Sequence, residues 1–348
     1  MTTQYSAEYL GPVDVLVVGA GLAGLAAGRD LLRAGLTVHL LDKSRGVSGR
    51  AATRWLELDG KTFRVDHGAQ YFTARGDALR MILPDLVGRG IVREWTQGFP
   101  TLSEKGIKPR VSRHPRYICP EGMSALGKAF LQGSEVGEEP LLVETKAPVK
   151  ELRRVREGWE AVLEGGETRL GLSLLVNMPA PQALSLTEAV LEPEVRAALE
   201  AVRFAPCWAV ILVPESLPYL DWEGLEIEHP VLSWAALDHT KREVKEPPVL
   251  VLHASPEWSQ EHLELTPEEV LPLVLGAAEE LLGGWVTKTR LALAHRWRYA
   301  MPTRPHPWPF LAQDNLVFCG DWCGGAKIEA ALESGWAAAD YLIHHLAG

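Results

Sequence analysis

The sequence predicts an α/β protein in which one domain, a parallel sheet flanked by helices, is interleaved with a second domain of α+β type. Three observations carry this. An apolar run at residues 15–18 leads into Gly19, Gly21 and Gly24 and then into a helical pattern. A second short apolar strand, residues 36–41, ends on Asp42. At the far end, residues 316–339 read LVFCGDWCGGAKIEAALESGWAAA: a buried strand, a glycine turn and a helix of small residues.

The first strand has the length and β-branched content of a buried parallel strand. The glycines after it have distinct work. Gly19 permits a tight turn, Gly21 lets the backbone approach a pyrophosphate, and Gly24 lets helix and strand pack closely. Leu22 and Ala23 lie inside the same turn and are expected to contact the ligand with it. The helix then offers free N–H groups and a positive dipole end to a diphosphate. Asp42 sits where a ribose hydroxyl needs an acceptor. The unit is a cradle for an adenine dinucleotide, a FAD-binding Rossmann-type domain if the ligand carries a flavin.

Bulk properties narrow the classes. A chain of 348 residues suggests about two domains, and 47% hydrophobic with 23% charged residues is ordinary for a globular protein. A net charge of −10 argues against nucleic acid or an anionic membrane as partner. An anionic ligand must therefore be held by local arginines and backbone amides. The four cysteines, Cys119, Cys207, Cys319 and Cys323, form no C-x-x-C pair and no disulfide framework, which fits the cytoplasm. The N-terminus MTTQYSAEYLGP has neither the basic nor the apolar region of a signal peptide, and no early stretch is long enough to span a membrane. No His, Cys or Asp cluster has metal-ligand spacing, so no metal is expected.

The loop after Asp42 bears on which dinucleotide binds. Lys43, Arg45, Gly49 and Arg50 place cations and glycines where a diphosphate and a ribityl chain would run. Residues 65–72, VDHGAQYF, supply a glycine for close backbone approach and Gln70, Tyr71 and Phe72 as donors and flat walls for an isoalloxazine. In the C-terminal segment, Gly320 and Asp321 stand at a strand tip, with Asp321 able to accept a ribityl hydroxyl. A helix starting near Lys327 and Ile328 would aim its N-terminus at the pyrimidine side of a flavin and favour the reduced state.

GAGLAG, DKSRGVSGR, VDHGAQYFTAR and CGDWCGGAKIEAALESG together resemble the flavin-containing amine oxidase superfamily, and within it the renalase-like branch with its bacterial members. Further echoes are FAPCWAVIL from Phe204, HASPEWSQEHL from His253 and HRWRYAMP from His295, so the resemblance runs nearly the full length. It implies non-covalent FAD, a p-hydroxybenzoate-hydroxylase-like fold, and an enzyme. The implied substrate is a small molecule, a mis-reduced dihydro-isomer of NAD(P), with hydride passing to flavin N5 and O2 taking the electrons to give H2O2. It also puts Val149 near the adenine and makes Tyr71, His253 and Trp297 the candidates for the substrate slot. Arg296 or Arg298 could meet a substrate phosphate or carboxamide, on the strand face opposite Trp297. Hydride loss from a dihydronicotinamide needs no general base, and none is assigned.

The expected domains are 1–76, 117–180 and 301–348 for FAD, with 77–116 and 181–300 for substrate. In the middle of the chain, helices are predicted at SALGKAFLQ and at Pro267–Leu282, the latter interrupted at Pro272. Strands are predicted at 141–149, 151–155, 159–163, 172–176, 205–213, 233–237, 249–254 and 291–299, and residues 301–310 are read as a structured loop. The 12 tryptophans are read mostly as core or pocket lining. Three alternatives stand beside the main reading: an amine or polyene-type oxidase of the same fold, a non-catalytic flavin-binding module, and a plain NAD dehydrogenase. Cys319 and Cys323 are read as small buried hydrophobes rather than as thioether links to a flavin.

Overall fold

The computed structural model describes residues 11–110, 112, 114–133, 138–243 and 246–347. The N-terminal reading above falls mostly outside them. By compactness the chain divides into two units. One holds residues 1–49, 126–203 and 302–348, the other 50–125 and 204–301. The functional division expected from the sequence put 50–76 and 117–125 with the first group and 181–203 with the second.

Unit one is built on a sheet ordered Val149–Val155, Gly158–Leu163, Thr168–Val176, Val13–Val18, Val38–Asp42 and Leu142–Thr145. The long strand Thr168–Val176 serves two partners on one edge. Its first half runs antiparallel to Gly158–Leu163, and its second half runs parallel to Leu316–Phe318. Val13–Val18 lies parallel between Thr168–Val176 and Val38–Asp42. Being covered on both faces, it reads as an unbroken apolar run, and Val15, Leu16 and Val17 are wholly buried. Each such side chain contributes about 1.5–3 kcal/mol by leaving water. The helix Leu22–Arg33 and the final helix Ile328–Ala347 share this core through Ala23, Ala27, Leu31, Ala338, Ala339 and Leu342. Small residues make the approach close: a Cβ on Gly335 would stand 2.2 Å from the Ala23 carbonyl oxygen.

Unit two is built on a sheet ordered Thr289–Arg304, Arg203–Pro214, Leu250–Ala254, Leu232–Leu237, Gly224–Ile227, Thr101–Ser103 and Gly106–Lys108. The helix Pro267–Leu282 covers one face through Val270, Val274, Ala277 and Ala278. Thr266 and Glu269 close a capping box at its start. The helix runs through Pro272 without the predicted interruption. The bond Pro272 cannot make would fall on the carbonyl of Glu268, in the exposed first turn, where water can take it. The strand predicted at 291–299 continues to Arg304, so the loop after it is shorter than expected. Two small antiparallel pairs, Thr53–Leu58 with Lys61–Asp66 and Arg93–Thr96 with Arg116–Ile118, complete the unit.

Candidate active site

In unit one the candidate site is made of backbone. Gly21 caps the helix Leu22–Arg33 without a side-chain bond, and the first turn carries no acid, so its N–H end is open to an anion. Gly24 is required by packing: its Cβ would stand 2.3 Å from the Gly19 carbonyl oxygen and 2.7 Å from Asn177 Nδ2. Asn177, at the tip of Thr168–Val176, was missed by sequence reasoning. Its N–H donates to Val18 O (2.8 Å), and its Nδ2 donates to Gly19 O (3.3 Å), so it fixes the turn from the neighbouring strand. Only its place after a buried strand could have flagged it.

Asp42 does stand at the tip of Val38–Asp42. Its carboxylate accepts the N–H of Ala20 (2.7 Å) and that of Ser44 (2.7 Å), which ties the glycine turn to the basic loop. That loop folds back over the turn: Ser48 N donates to Ala20 O at 2.8 Å, and Gly49 lies close against Gly21. Lys43 and Arg45 are exposed on it. Val149 opens its strand at the sheet edge. At the C-terminal end, Gly320 N donates to Ser334 Oγ (2.8 Å), Asp321 is half-buried, and the helix begins at Ile328. The Cys319 and Cys323 thiols are buried and unbridged, and burial pushes both well up, so they are poor nucleophiles.

In unit two the candidate residues are side chains on separate elements. Arg50 donates to the carbonyls of Tyr299 (3.2 Å) and Ala300 (3.1 Å). The close approach that Gly68 permits is to the Arg50 carbonyl, 2.0 Å from where its Cβ would lie. Gln70 turns inward: its amide nitrogen donates to Asp66 O (2.6 Å) and Gly68 O (3.1 Å), and its oxygen accepts from Lys241 Nζ (3.0 Å). Its side chain is thereby committed to the protein. Phe72 is buried and bridged to Tyr117. Tyr71 packs on Phe99 (4.8 Å between ring centres) and Trp234 (5.7 Å), with the Arg116 guanidinium 5.4 Å over its ring.

His253 pairs in strand register with Trp234, which puts both on one face of the sheet. Trp297 donates from Nε1 to His67 O (2.9 Å) and packs against His67 and His295. Arg296 and Arg298 are on the exposed face. Arg298 grips Glu264 at 2.7 and 2.9 Å, and Arg296 donates to Leu263 O, so both are already engaged.

Beneath the aromatic residues lies a buried ionic cluster that the sequence reading did not assign. Arg242 donates to Asp66 (2.9 Å) and Asp238 (2.6 Å), and Lys241 Nζ reaches Asp238 at 2.9 Å. All four side chains are fully buried. Burial would raise the Asp66 carboxyl, but Lys241, Arg242, the Met123 N–H and the Thr53 hydroxyl outweigh it and hold the group below the usual carboxylate range. Lys241 also lies 5.0 Å over the Trp95 ring, which joins the ionic cluster to the aromatic one. The histidines above are kept neutral. Burial, then His295 and Arg54, push His67 down to about 3, while burial and Lys241 take His253 to about 4.

Comparisons with known proteins agree with this architecture. Residues 17–86 match an NAD(P)-binding Rossmann-like domain. The class is that of flavin-containing oxidoreductases. The chain belongs to the flavin containing amine oxidoreductase family, whose description matches residues 100–343. It is 44% identical over 78 residues to a phytoene dehydrogenase of Streptomyces griseus; the match takes in 22% of this chain and only 13% of that protein. Two solved structures share the fold nearly end to end. Cyclohexylamine oxidase from Brevibacterium oxydans IH-35A has a TM-score of 0.72 at 11% identity, covering 97% of this chain and 100% of that one. A putrescine oxidase bound to putrescine has a TM-score of 0.68 at 14% identity, covering 96% and 99%. At these identities the likeness shows the fold alone. Among the described residues, no helix is long and apolar enough to cross a membrane.

Proposed function

We propose that this protein is a renalase-like FAD oxidase that returns mis-reduced dihydro-isomers of NAD(P) to NAD(P)+, with O2 as the final acceptor and H2O2 as product. The observation that carries the reading is the charge of the aromatic cluster in unit two. Tyr71, Phe99 and Trp234 stand with Arg116, and the nearby His67 and His253 are neutral. The carboxylates around them are taken: Glu226 by Arg110 (2.8 Å), and Asp66 and Asp238 by Lys241 and Arg242. An alkylammonium would meet like charge here, with these three acids already paired. The dihydronicotinamide ring of such a dinucleotide is uncharged, flat and loses hydride without giving up a proton.

Bound FAD would supply the hydride acceptor at N5. Gly19, Gly21, Leu22, Ala23, Gly24, Asp42, Lys43, Arg45, Gly49, Arg50, Gln70 by its main chain, Tyr71, Phe72, Val149, Gly320, Asp321 and Ile328 are the residues proposed to hold it. The chain's own part is orientation, which is worth several kcal/mol of barrier. In this reading Tyr71 and Trp297 are the walls of the slot. Trp297 is fixed by its bond to His67, and His253 presents a buried Nε2 to the substrate. A cytoplasmic location belongs to the same proposal and fits four unbridged cysteines.

The test is anaerobic mixing of the yellow holoprotein with borohydride-treated NAD while the oxidised-flavin band is followed. Rapid bleaching by the 2- or 6-dihydro isomer but not by amines is expected. Bleaching by putrescine or cyclohexylamine alone would instead support the second reading, an amine oxidase, which rests on the family and on the substrates named for the two solved neighbours.

A further inference from the structure

Half of the buried side-chain polar atoms left without a hydrogen-bond partner among the described residues fall on one aromatic cluster. Six such side-chain atoms occur among the described residues, and three of them are Arg116 Nε, Trp234 Nε1 and His253 Nε2. Arg116 is 7% exposed and Trp234 8%. They belong to one cluster: Arg116 lies over Tyr71 (5.4 Å) and Phe99 (5.7 Å), Phe99 meets Trp234 edge-on at 4.7 Å, and Trp234 faces His253 across the sheet. A buried polar group with no partner costs about 1–3 kcal/mol. The Arg116 Nε and Trp234 Nε1 are both N–H donors, so an acceptor from elsewhere would satisfy them.

The chemistry of those acceptors follows from the donors. Arginine and indole donate and cannot accept. Arg116 NH1 donates to His114 O (2.8 Å) and Ser112 Oγ (3.2 Å), and the guanidinium also hydrogen-bonds the Tyr71 hydroxyl, but its Nε has no partner. The unpartnered Nε–H of a guanidinium suits an anionic oxygen of a carboxylate or phosphate. The rings of Tyr71, Phe99 and Trp234 beside it offer apolar walls to a planar group.

We propose that Arg116 and Trp234 form an anion-accepting subsite beside the Tyr71 wall, and that the substrate carries a carboxylate or phosphate which this subsite receives. The inference rests on the proposed substrate slot and names the charge of what enters it. Arg116 is a binding residue in this scheme and takes no part in hydride transfer.

The test uses the holoprotein and three probes with one ring: benzoate, phenyl phosphate and benzylamine. Binding is read by calorimetry and by quenching of tryptophan fluorescence. At least one of the two anions should bind about tenfold or more tighter than benzylamine, a difference of about 1.4 kcal/mol. Which anion is preferred separates carboxylate from phosphate. Arg116→Met should erase the preference and Arg116→Lys should keep part of it. Benzylamine binding as tightly as either anion, no anion binding at millimolar concentration, or an undiminished preference in Arg116→Met would overturn the subsite. If Arg116→Met does not fold, Arg116→Lys and the unsubstituted protein carry the test. Arg116-dependent anion binding in a protein that oxidises no dihydronicotinamide leaves the subsite standing and removes the proposed function. Oxidation of those donors with anion binding indifferent to Arg116 does the reverse.

Discussion

The two units build their candidate sites from different materials. Unit one uses the main chain: a glycine turn, an uncapped helix end, and one carboxylate whose oxygens are bonded to the N–H groups of Ala20 and Ser44. Unit two uses side chains brought from residues 66 to 297, with charge and aromatic surface buried together. A main-chain site tolerates no added atoms. A side-chain site tolerates no lost partner. The two should therefore fail differently when changed.

The largest effect is expected in unit two. Asp238→Ala leaves Lys241 and Arg242 buried with Asp66 and, at 3.8 Å from Arg242, Glu246 as the remaining acids, and should cost about 3–5 kcal/mol in denaturant unfolding. The double change Asp238→Leu with Lys241→Met keeps the cluster neutral and should cost less than the single one. If the single and double variants are equally damaged, the loss is one of packing and the contrast between the units is wrong. Next in size is Gly24→Val. It drives atoms into the Gly19 carbonyl and Asn177, so overpacking of about 1–3 kcal/mol should appear as FAD lost on gel filtration. A yellow Gly24→Val protein would show that the turn can give.

The third effect is a pH slope. His67 and His253 titrate near 3 and 4 in the folded chain and near 6.5 when unfolded, so between these values the unfolded state holds more protons. Stability is then intact above about pH 6.5 and falls as the pH drops from there toward 4, by up to about 1.4 kcal/mol per pH unit for each histidine. His67→Gln should flatten the slope seen in urea midpoints. The smallest effect is Thr266→Ala, which removes one side of a capping box and should cost about 1 kcal/mol, with FAD content unchanged.

The same difference decides what could be read from the sequence. A main-chain site has a linear signature, because the strand, Gly19, Gly21, Gly24 and Asp42 are contiguous and their spacing is the geometry. The helices Ser124–Gln132 and Pro267–Leu282 and most strand positions were legible for the same local reason. Lys241 and Arg242 lie in a short charged run, DHTKRE, that looks like a solvated turn until the sheet closes over it. Arg116, Phe99 and Trp234 have nothing in common in sequence; only the sheet order makes them neighbours. Gln70 was legible as a polar group near the cofactor segment, but not the inward turn that commits its amide to Asp66, Gly68 and Lys241.

The pairing of Asp66 and Asp238 with Lys241 and Arg242 has a consequence for descent. Two acids and two bases with no exposed side chain balance one another at the centre of the cluster, flanked by the nearly buried pair Arg64–Glu246, and any single exchange of charge at the four leaves it unbalanced. Related chains should therefore carry all four members or replace them in compensating pairs, so this corner of the molecule is expected to be inherited as a block while the surface around it drifts.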